Sequence, residues 1–525
     1  MGLSVETMQG AISMATDHVF AGKGKVFVRE TRNRKGKIRQ QLVWGDWVQV
    51  LSRDHEPEGW LEVKGRGENG WLHVDEVQSD RLLEINFIDV GQGDGAFLVT
   101  PDDKFALVDA GVGNHMRRFL SWRFNLKLDH PSEPAEPHEV GRTIRFLFTV
   151  VSHSDLDHYA GFRELFDSPK FRFKTVYHNT LVERPAVSQT QSLGERDTIN
   201  GKLCVTELIE SAAQMASLLD EVGPEAKTKY ISLLRGAAEN GRVERIIGVT
   251  REAGHLDGFD ETFRTRNGKP MRIEILGPVP LSDGSKRGLP WFSNNGKTKN
   301  GHSIVLRIHY GSVRLLLGGD LNVPAENHLL AQSVGPVPAD DADEAEWQNY
   351  ISRARTAFGA DVAKACHHGS SDFTTTFLRA VNAAATVISS GDEESHCHPR
   401  PDTLGAVGRH GRGERPLVFS TELARSTREF TKPLAAVQEQ IRAAIAGLET
   451  ADAAQRKELN RLIDSLLNTE ERNVAVYGMI SVRTDGERVV IMQKLERPRS
   501  STGEGFDLQW LIPGPDGELR SAAMP

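Results

Sequence analysis

The sequence predicts an α/β protein: a large domain of mixed sheets and helices behind a small all-β unit. Three features carry that expectation. Between about 20 and 79, short segments of alternating hydrophobicity are separated by Gly-containing turns. From Leu82 onward, apolar and β-branched runs end abruptly in clusters of His, Asp and Gly. Amphipathic stretches of helical spacing lie between those runs. A chain of 525 residues exceeds one ordinary core, so the large domain, about 82–495, is expected to hold insertions at about 182–270 and 430–470. Residues 1–19 read as a leading segment, and 496–525 as a polar tail ordered only around 508–512.

Bulk composition excludes some classes. Hydrophobic residues make up 38% and charged residues 26%, the values of a globular protein in water. No apolar run approaches the length of a bilayer-crossing helix, so no membrane is expected. The first twenty residues carry Glu and Asp without a basic start, which argues against a secretory signal. Three cysteines (Cys204, Cys366, Cys397) cannot staple a framework, and a reducing, cytoplasmic location is expected. The net charge of −8 argues against a nucleic-acid surface over the whole chain, though not against a basic patch at a site.

In the small unit, KVFVRE, QLVWGDWVQVL, GWLEVK and GWLHVDEV read as strands, with turns at Gly45-Asp46, Gly59 and Gly70. Val28-Arg29, Gly45-Asp46 before Trp47, Gly59-Trp60 and Gly70-Trp71 resemble the pattern of a bacterial SH3-like domain. That resemblance implies a small barrel over 20–79, a surface for a protein partner. The basic loop Arg32-Asn33-Arg34-Lys35-Gly36-Lys37 reads as a solvated hairpin tip in preference to a nucleic-acid contact.

In the large domain, strands are expected at 83–90, 96–100 and 105–109. The last ends in Asp109-Ala110-Gly111, an Asp able to reach across a sheet edge and orient metal ligands. A helix at 113–129 and a Pro/Glu-rich loop at 130–139 follow. The strand at 143–151 then delivers Ser152-His153-Ser154-Asp155-Leu156-Asp157-His158, four side chains able to bind a divalent metal within six residues. One turn cannot aim all four at one ion, so two neighbouring ions are expected. The bland alternative is a loop capping a helix that begins near Tyr159, with Asp157 as N-cap. A cap needs one Ser or Asp, and it does not account for two histidines and two carboxylates.

Residues 182–270 show no readable chemistry; their helices near 205–222 and 228–240 could form a lid or cover the sheet. Strands resume at 271–276, 304–309 and 312–317. The last ends at Gly318-Gly319-Asp320, where glycines permit close approach and Asp320 emerges towards the first cluster. After a helix at 354–360, a short strand at 361–366 delivers His367-His368-Gly369-Ser370-Ser371, one imidazole read as a ligand and the other as its neighbour. A strand at 386–390 precedes His396-Cys397-His398-Pro399. There His398 reads as a substrate contact or general acid, and a zinc site on His396 and Cys397 lacks a second pair. Two helices are expected over 433–467, buried on the main sheet or used for self-association or a partner, then a closing hairpin of 474–483 and 488–495. Gly91-x-Gly93-x-Gly95 lacks the spacing and the following helix of a dinucleotide fingerprint.

Taken in order, Asp89-Val-Gly-Gln-Gly-Asp94, Leu107-Val-Asp109, Ser152 to His158, Gly318-Gly-Asp320, His367-His-Gly-Ser370 and His398-Pro399 are similar to the metallo-β-lactamase superfamily. The nearest pattern is the branch holding the hydrolase domain of the DNA-uptake protein ComEC. The resemblance implies an αββα sandwich with a dinuclear site at one edge of its two sheets. It implies His153 and Asp155 for one ion and Asp157 and His158 for the other. Asp320 would bridge them, and His367 or His368, with His368 favoured, would complete the shell. Asp89, Asp94 and Asp109 would support the ligands. Many relatives carry His where Asp155 stands, and no His fills the usual place between Asp157 and Asp320. The harder, oxygen-rich shell makes manganese a rival to zinc. With no membrane channel, a role in DNA transport does not carry over.

Two ions about 4 Å apart make water reactive at neutral pH and clamp charge on a phosphoryl group. The expectation is a metal-dependent hydrolase of phosphodiester bonds, a nuclease whose substrate, by what the resemblance implies, is DNA. Asp157 and His398 would work in catalysis, with Lys364, Ser370 and Ser371 on the substrate phosphate. Two rivals stand beside it: a small-molecule phosphoesterase, and a partner-binding effector or scaffold whose hydrolase domain is regulated by complex formation.

Overall fold

The structure, a computed structural model, describes residues 17–126, 143–185, 192–225, 228–391, 396–422, 434–467, 478–495 and 504–523. Its centre is a pair of sheets. One runs, in order, Val243–Gly248, Phe171–His178, Ile144–Val151, Phe105–Ala110, Gly95–Val99, Leu83–Phe87, Ile480–Thr484, Val489–Lys494, Phe506–Pro513 and Leu519–Ala522. The other runs Met271–Gly277, Val305–Tyr310, Val313–Leu317, Val362–Lys364, Ala385–Ile388 and Leu417–Ser420.

Ile85, Leu98 and Val150 of the first sheet and Ile273, Leu306, Leu315 and Val387 of the second share one buried core, so these faces pack together. The opposite face of the first sheet is covered by helices His115–Phe124, Phe162–Asp167, Ala212–Glu221 and Lys229–Glu239, which bury Phe119, Leu165, Met215 and Tyr230 with Phe146 and Phe173. Helices Val323–Val334, Glu344–Phe358 and Thr375–Val381 cover the second, through Leu329, Tyr350 and Phe377. The layers therefore run helix, sheet, sheet, helix. Within Ile144–Val151, Phe105 pairs with Phe146 but Ala106 with Phe148. That bulge turns Ile144 and Phe146 towards the helices and Phe148 and Val150 into the core between the sheets.

The N-terminal strands form one antiparallel sheet in the order Ile38–Val43, Lys25–Arg29, Glu68–His73, Trp60–Gly65, Trp47–Ser52, His18–Ala21, Val77–Gln78. No described pairing joins the two end strands, so the sheet is open and the expected closed barrel is not seen. Among the described pairings, the end strands Ile38–Val43 and Val77–Gln78 are each paired on one side. Arg32 of the basic loop pairs with Glu58 at 2.5 Å and Arg34 with Asp75 at 2.7 Å. The unit docks on the large sheet: Trp44 meets Trp510 with ring centroids 5.2 Å apart, and Asp46 meets Arg483 at 3.0 Å.

Several sequence expectations change. The 113–129 helix is His115–Phe124, stopped by Asn125 in the left-handed region; 127–129 and the Pro/Glu-rich loop lie outside the described residues. Residues 182–270 are not set apart from the sheet, since their helices cover it and Val243–Gly248 is its edge, parallel to Phe171–His178. The supposed tail extends the sheet: Phe506–Pro513 pairs antiparallel with Val489–Lys494, and Leu519–Ala522 antiparallel with Phe506–Pro513. Residues 496–503 and 524–525 lie outside the described residues, as do 1–16. Helices Leu434–Gly447 and Ala453–Leu467 form a hairpin with Ile445 and Leu462 exposed, in place of burial on the sheet. The closing hairpin is Ile480–Thr484 with Val489–Lys494; 474–477 are outside the description.

Candidate metal centre

Parallel pairing explains how distant residues meet. Phe105–Ala110 lies parallel to Ile144–Val151, so Asp109 and Ser152 leave neighbouring strand ends together. Val313–Leu317 lies parallel to Val362–Lys364, which does the same for Asp320 and the His367-His368 pair. The turn after Leu83–Phe87 brings in Asp94, whose backbone N–H donates to the Asp157 carbonyl at 3.2 Å. Gly93 makes that approach possible. Its φ is +99°, and a Cβ there would lie 1.7 Å from the Asp157 carbonyl oxygen.

Asp94, His158, Asp320 and His368 are all buried, and one ligand-type atom from each lies within 4.8 Å of the others. Asp320 Oδ2 is 3.2 Å from both His158 Nε2 and His368 Nε2, and those two nitrogens are 3.3 Å apart. His368 Nδ1 lies 3.1 Å from Asp94 Oδ1 and 3.2 Å from the Ser389 carbonyl. Asp109 holds the group from behind. Its Oδ2 is 2.9 Å from His158 Nδ1, while it accepts from the Ser152 backbone N–H and hydroxyl, each at 2.7 Å. Two nitrogens and two carboxylates converging on one point are a donor set for a divalent cation.

Electrostatics point the same way. Burial opposes a charged imidazole at His158 and His368, yet Asp320 and Asp109 at the first, and Asp320 and Asp94 at the second, hold both well above the ordinary histidine value. The same positive neighbours outweigh burial at Asp320 and keep it well below the usual carboxylate range. The pocket thus demands positive charge. His153 differs: burial, helped by His158, pushes it down to about 4, so it is neutral at pH 7.

The expected residues distribute unevenly. His158, Asp320 and His368 come together, and Asp94, read from the sequence as support, joins them as a potential ligand. Asp157 is partly exposed, with Oδ2 3.5 Å from His368 Nε2; the helix N-cap is Asp155, so Asp157 does not play the capping role. His153 packs on His158 with ring centroids 4.1 Å apart and meets the Ser152 and Ser303 hydroxyls at 3.1 and 3.2 Å. Asp155 turns to Lys299 at 2.5 Å, and Lys299 also meets Glu183 at 3.0 Å. His367 Nε2 is 3.9 Å from Asp320, which leaves His368 as the closer imidazole.

His398 lies at the rim, its ring centroid 5.7 Å from that of His367. His396 stacks on His398 at 5.8 Å, beside an exposed, free Cys397. Asp89 accepts from the Gly91 N–H at 3.2 Å and shapes the turn that presents Asp94. The Ser370 hydroxyl accepts from the Asp372 N–H at 3.2 Å, and Ser371 is exposed. Lys364 is buried, which differs from a lysine reaching for substrate: its Nζ donates to the Gly319 carbonyl at 3.0 Å and ion-pairs with Asp94. Lys299, Ser303 and Ser389 carry no signal in sequence spacing; only the fold brings them here.

No family model and no curated protein matches the chain. Among solved structures it is similar to the Zn(2+)-bound PqqB of Methylobacterium extorquens, at 10% identity over 63% of this chain and 84% of that one, with a TM-score of 0.26. It is also similar to a mutant of the CmlA beta-hydroxylase, at 12% identity over 75% of this chain and 66% of that one, again with a TM-score of 0.26. At such scores neither likeness bears on the reading of the site.

Proposed function

We propose that this chain is a metal-dependent hydrolase of phosphodiester bonds in the metallo-β-lactamase superfamily, acting as a nuclease on DNA. The observation that carries it is the convergence of Asp94, His158, Asp320 and His368, from four separate stretches, into one buried group. The donor set fits a divalent ion, and two buried polar atoms, Asp320 Oδ1 and His153 Nε2, make no hydrogen bond. Asp94, His158, Asp320 and His368 would hold the ion, which would supply Lewis acidity towards a phosphoryl oxygen and lower the pKa of water. Asp109 fixes the His158 ring so that Nε2 faces the group. Asp157, partly open to solvent, would accept a proton from water. His398, beside His367, would donate one to the leaving oxygen. The choice of DNA rests on the sequence motifs.

The test compares linear and circular DNA with a bis-phenyl phosphodiester, using purified chain with manganese or zinc. DNA cleavage that stops in chelator and in Asp157→Ala supports the proposal. Turnover of the small diester alone moves the substrate to a small phosphoester. Metal-independent turnover, or none with either metal on either substrate, contradicts the proposal.

A further inference from the structure

The sequence motifs imply two ions, yet the structure places two ammonium groups where a second would need its ligands. Lys364 Nζ sits between Asp94, with which it makes a close ion pair, and Asp320 Oδ1 at 3.7 Å, and it donates to the Gly319 carbonyl at 3.0 Å. Three oxygens around a buried positive charge are the surroundings a hard cation takes. Asp155 is the carboxylate expected to pair with His153 on an ion, but it meets Lys299 at 2.5 Å. Lys299 is held in turn by Glu183 at 3.0 Å. Asp155 Oδ2 lies 3.8 Å from His153 Nε2.

We infer that the centre takes a single divalent ion, and that the Lys364 ammonium is the second positive charge on the Asp94–Asp320 pair. The inference rests on the metal-dependent reading above. A second dication beside Asp94 would face the ammonium across a few ångströms of protein interior, where like charges repel strongly. The fixed cation neutralises Asp94 without a ligand to lose. It also leaves His158, His368, Asp94 Oδ1 and Asp320 Oδ2 to one ion.

The test counts ions per chain. Purified full chain is saturated with manganese, freed of excess by gel filtration and analysed by plasma mass spectrometry, with titration calorimetry as a second count. The wild type is expected to hold one ion and Lys364→Arg, which keeps the charge, also one. Lys364→Gln, which removes the charge, is expected to hold two. A purely structural lysine would leave the count in Lys364→Gln unchanged, and that result overturns the inference. Two ions on the wild type overturn it as well, while leaving the metal reading intact. No ion on the wild type overturns the metal reading itself. Should Lys364→Gln show no cooperative melt, the wild-type count still decides between one ion and two.

Discussion

Asp109 Oδ2 and His158 Nδ1 lie 2.9 Å apart in a fully buried pair, so the carboxylate sets which ring nitrogen His158 turns towards Asp320. The same carboxylate fixes Ser152 through two further hydrogen bonds. Partners of this kind are worth roughly 10–100-fold in metal affinity. Asp109→Asn is therefore expected to weaken manganese binding by about that factor in titration calorimetry, with the circular dichroism spectrum preserved. Unchanged affinity would mean that Asp109 does not orient the ligand.

Gly93 sits where a side chain cannot. With φ at +99° and the Asp157 carbonyl 1.7 Å from a virtual Cβ, Gly93→Ala must push apart the two loops that carry Asp94 and Asp157. We expect a loss of about 2–4 kcal/mol in urea unfolding, together with weakened ion binding. Wild-type stability and affinity in the variant would show that the loops can separate without harm.

Glu84 is buried beside Arg483 at 3.2 Å and accepts from the Asn86 amide at 2.7 Å. Burial alone would raise its pKa, but Arg483 and Arg123 outweigh burial and hold it at about 2, below its ordinary 4.5. A depressed carboxylate contributes stability above its unfolded value and loses it as pH falls through the folded value. That contribution should be complete at neutral pH and disappear between 4.5 and about 2. Glu84→Gln leaves Asp46 as the carboxylate on Arg483 and should cost about 3–5 kcal/mol at pH 7. It should also flatten the stability profile across that acid window. A variant as acid-sensitive as the wild type would contradict this account.

Trp510 joins the N-terminal sheet to the large one through Trp44, in a cluster with Leu82, Val490, Met492 and Phe506. Trp510→Ala should destabilise by about 3–5 kcal/mol and split thermal unfolding into two transitions, the N-terminal sheet melting first. A single transition at the wild-type temperature would show that the docking is not held by these rings.

The strands of the large domain were legible because their apolar and β-branched runs are continuous, as buried strands require. The ends of those runs pointed to His158, Asp320 and His368, since small residues after a strand let a polar side chain emerge at a sheet edge. Asp94 reads from the sequence as support, because a carboxylate between two glycines is turn chemistry until the turn is seen folded against Asp157. The ion pair of Asp155 leaves no mark in the sequence for a different reason. Its partner Lys299, shared with Glu183, arrives from another part of the fold, and long-range ion pairing leaves no periodic trace. The Phe506–Pro513 and Leu519–Ala522 strands were hidden by the Gly-Pro-Asp-Gly turn between them, whose composition matches a tail. The open N-terminal sheet was beyond motif reasoning, because short motifs mark strands and turns but not which edges pair.

Anomalous diffraction at the manganese edge, from crystals grown with that ion, tests the central claim most directly. The expected result is a peak within about 2.0–2.3 Å of nitrogens of His158 and His368 and oxygens of Asp320 and Asp94. Crystals that place the ion elsewhere, or show no peak at this group under saturating manganese, would contradict it.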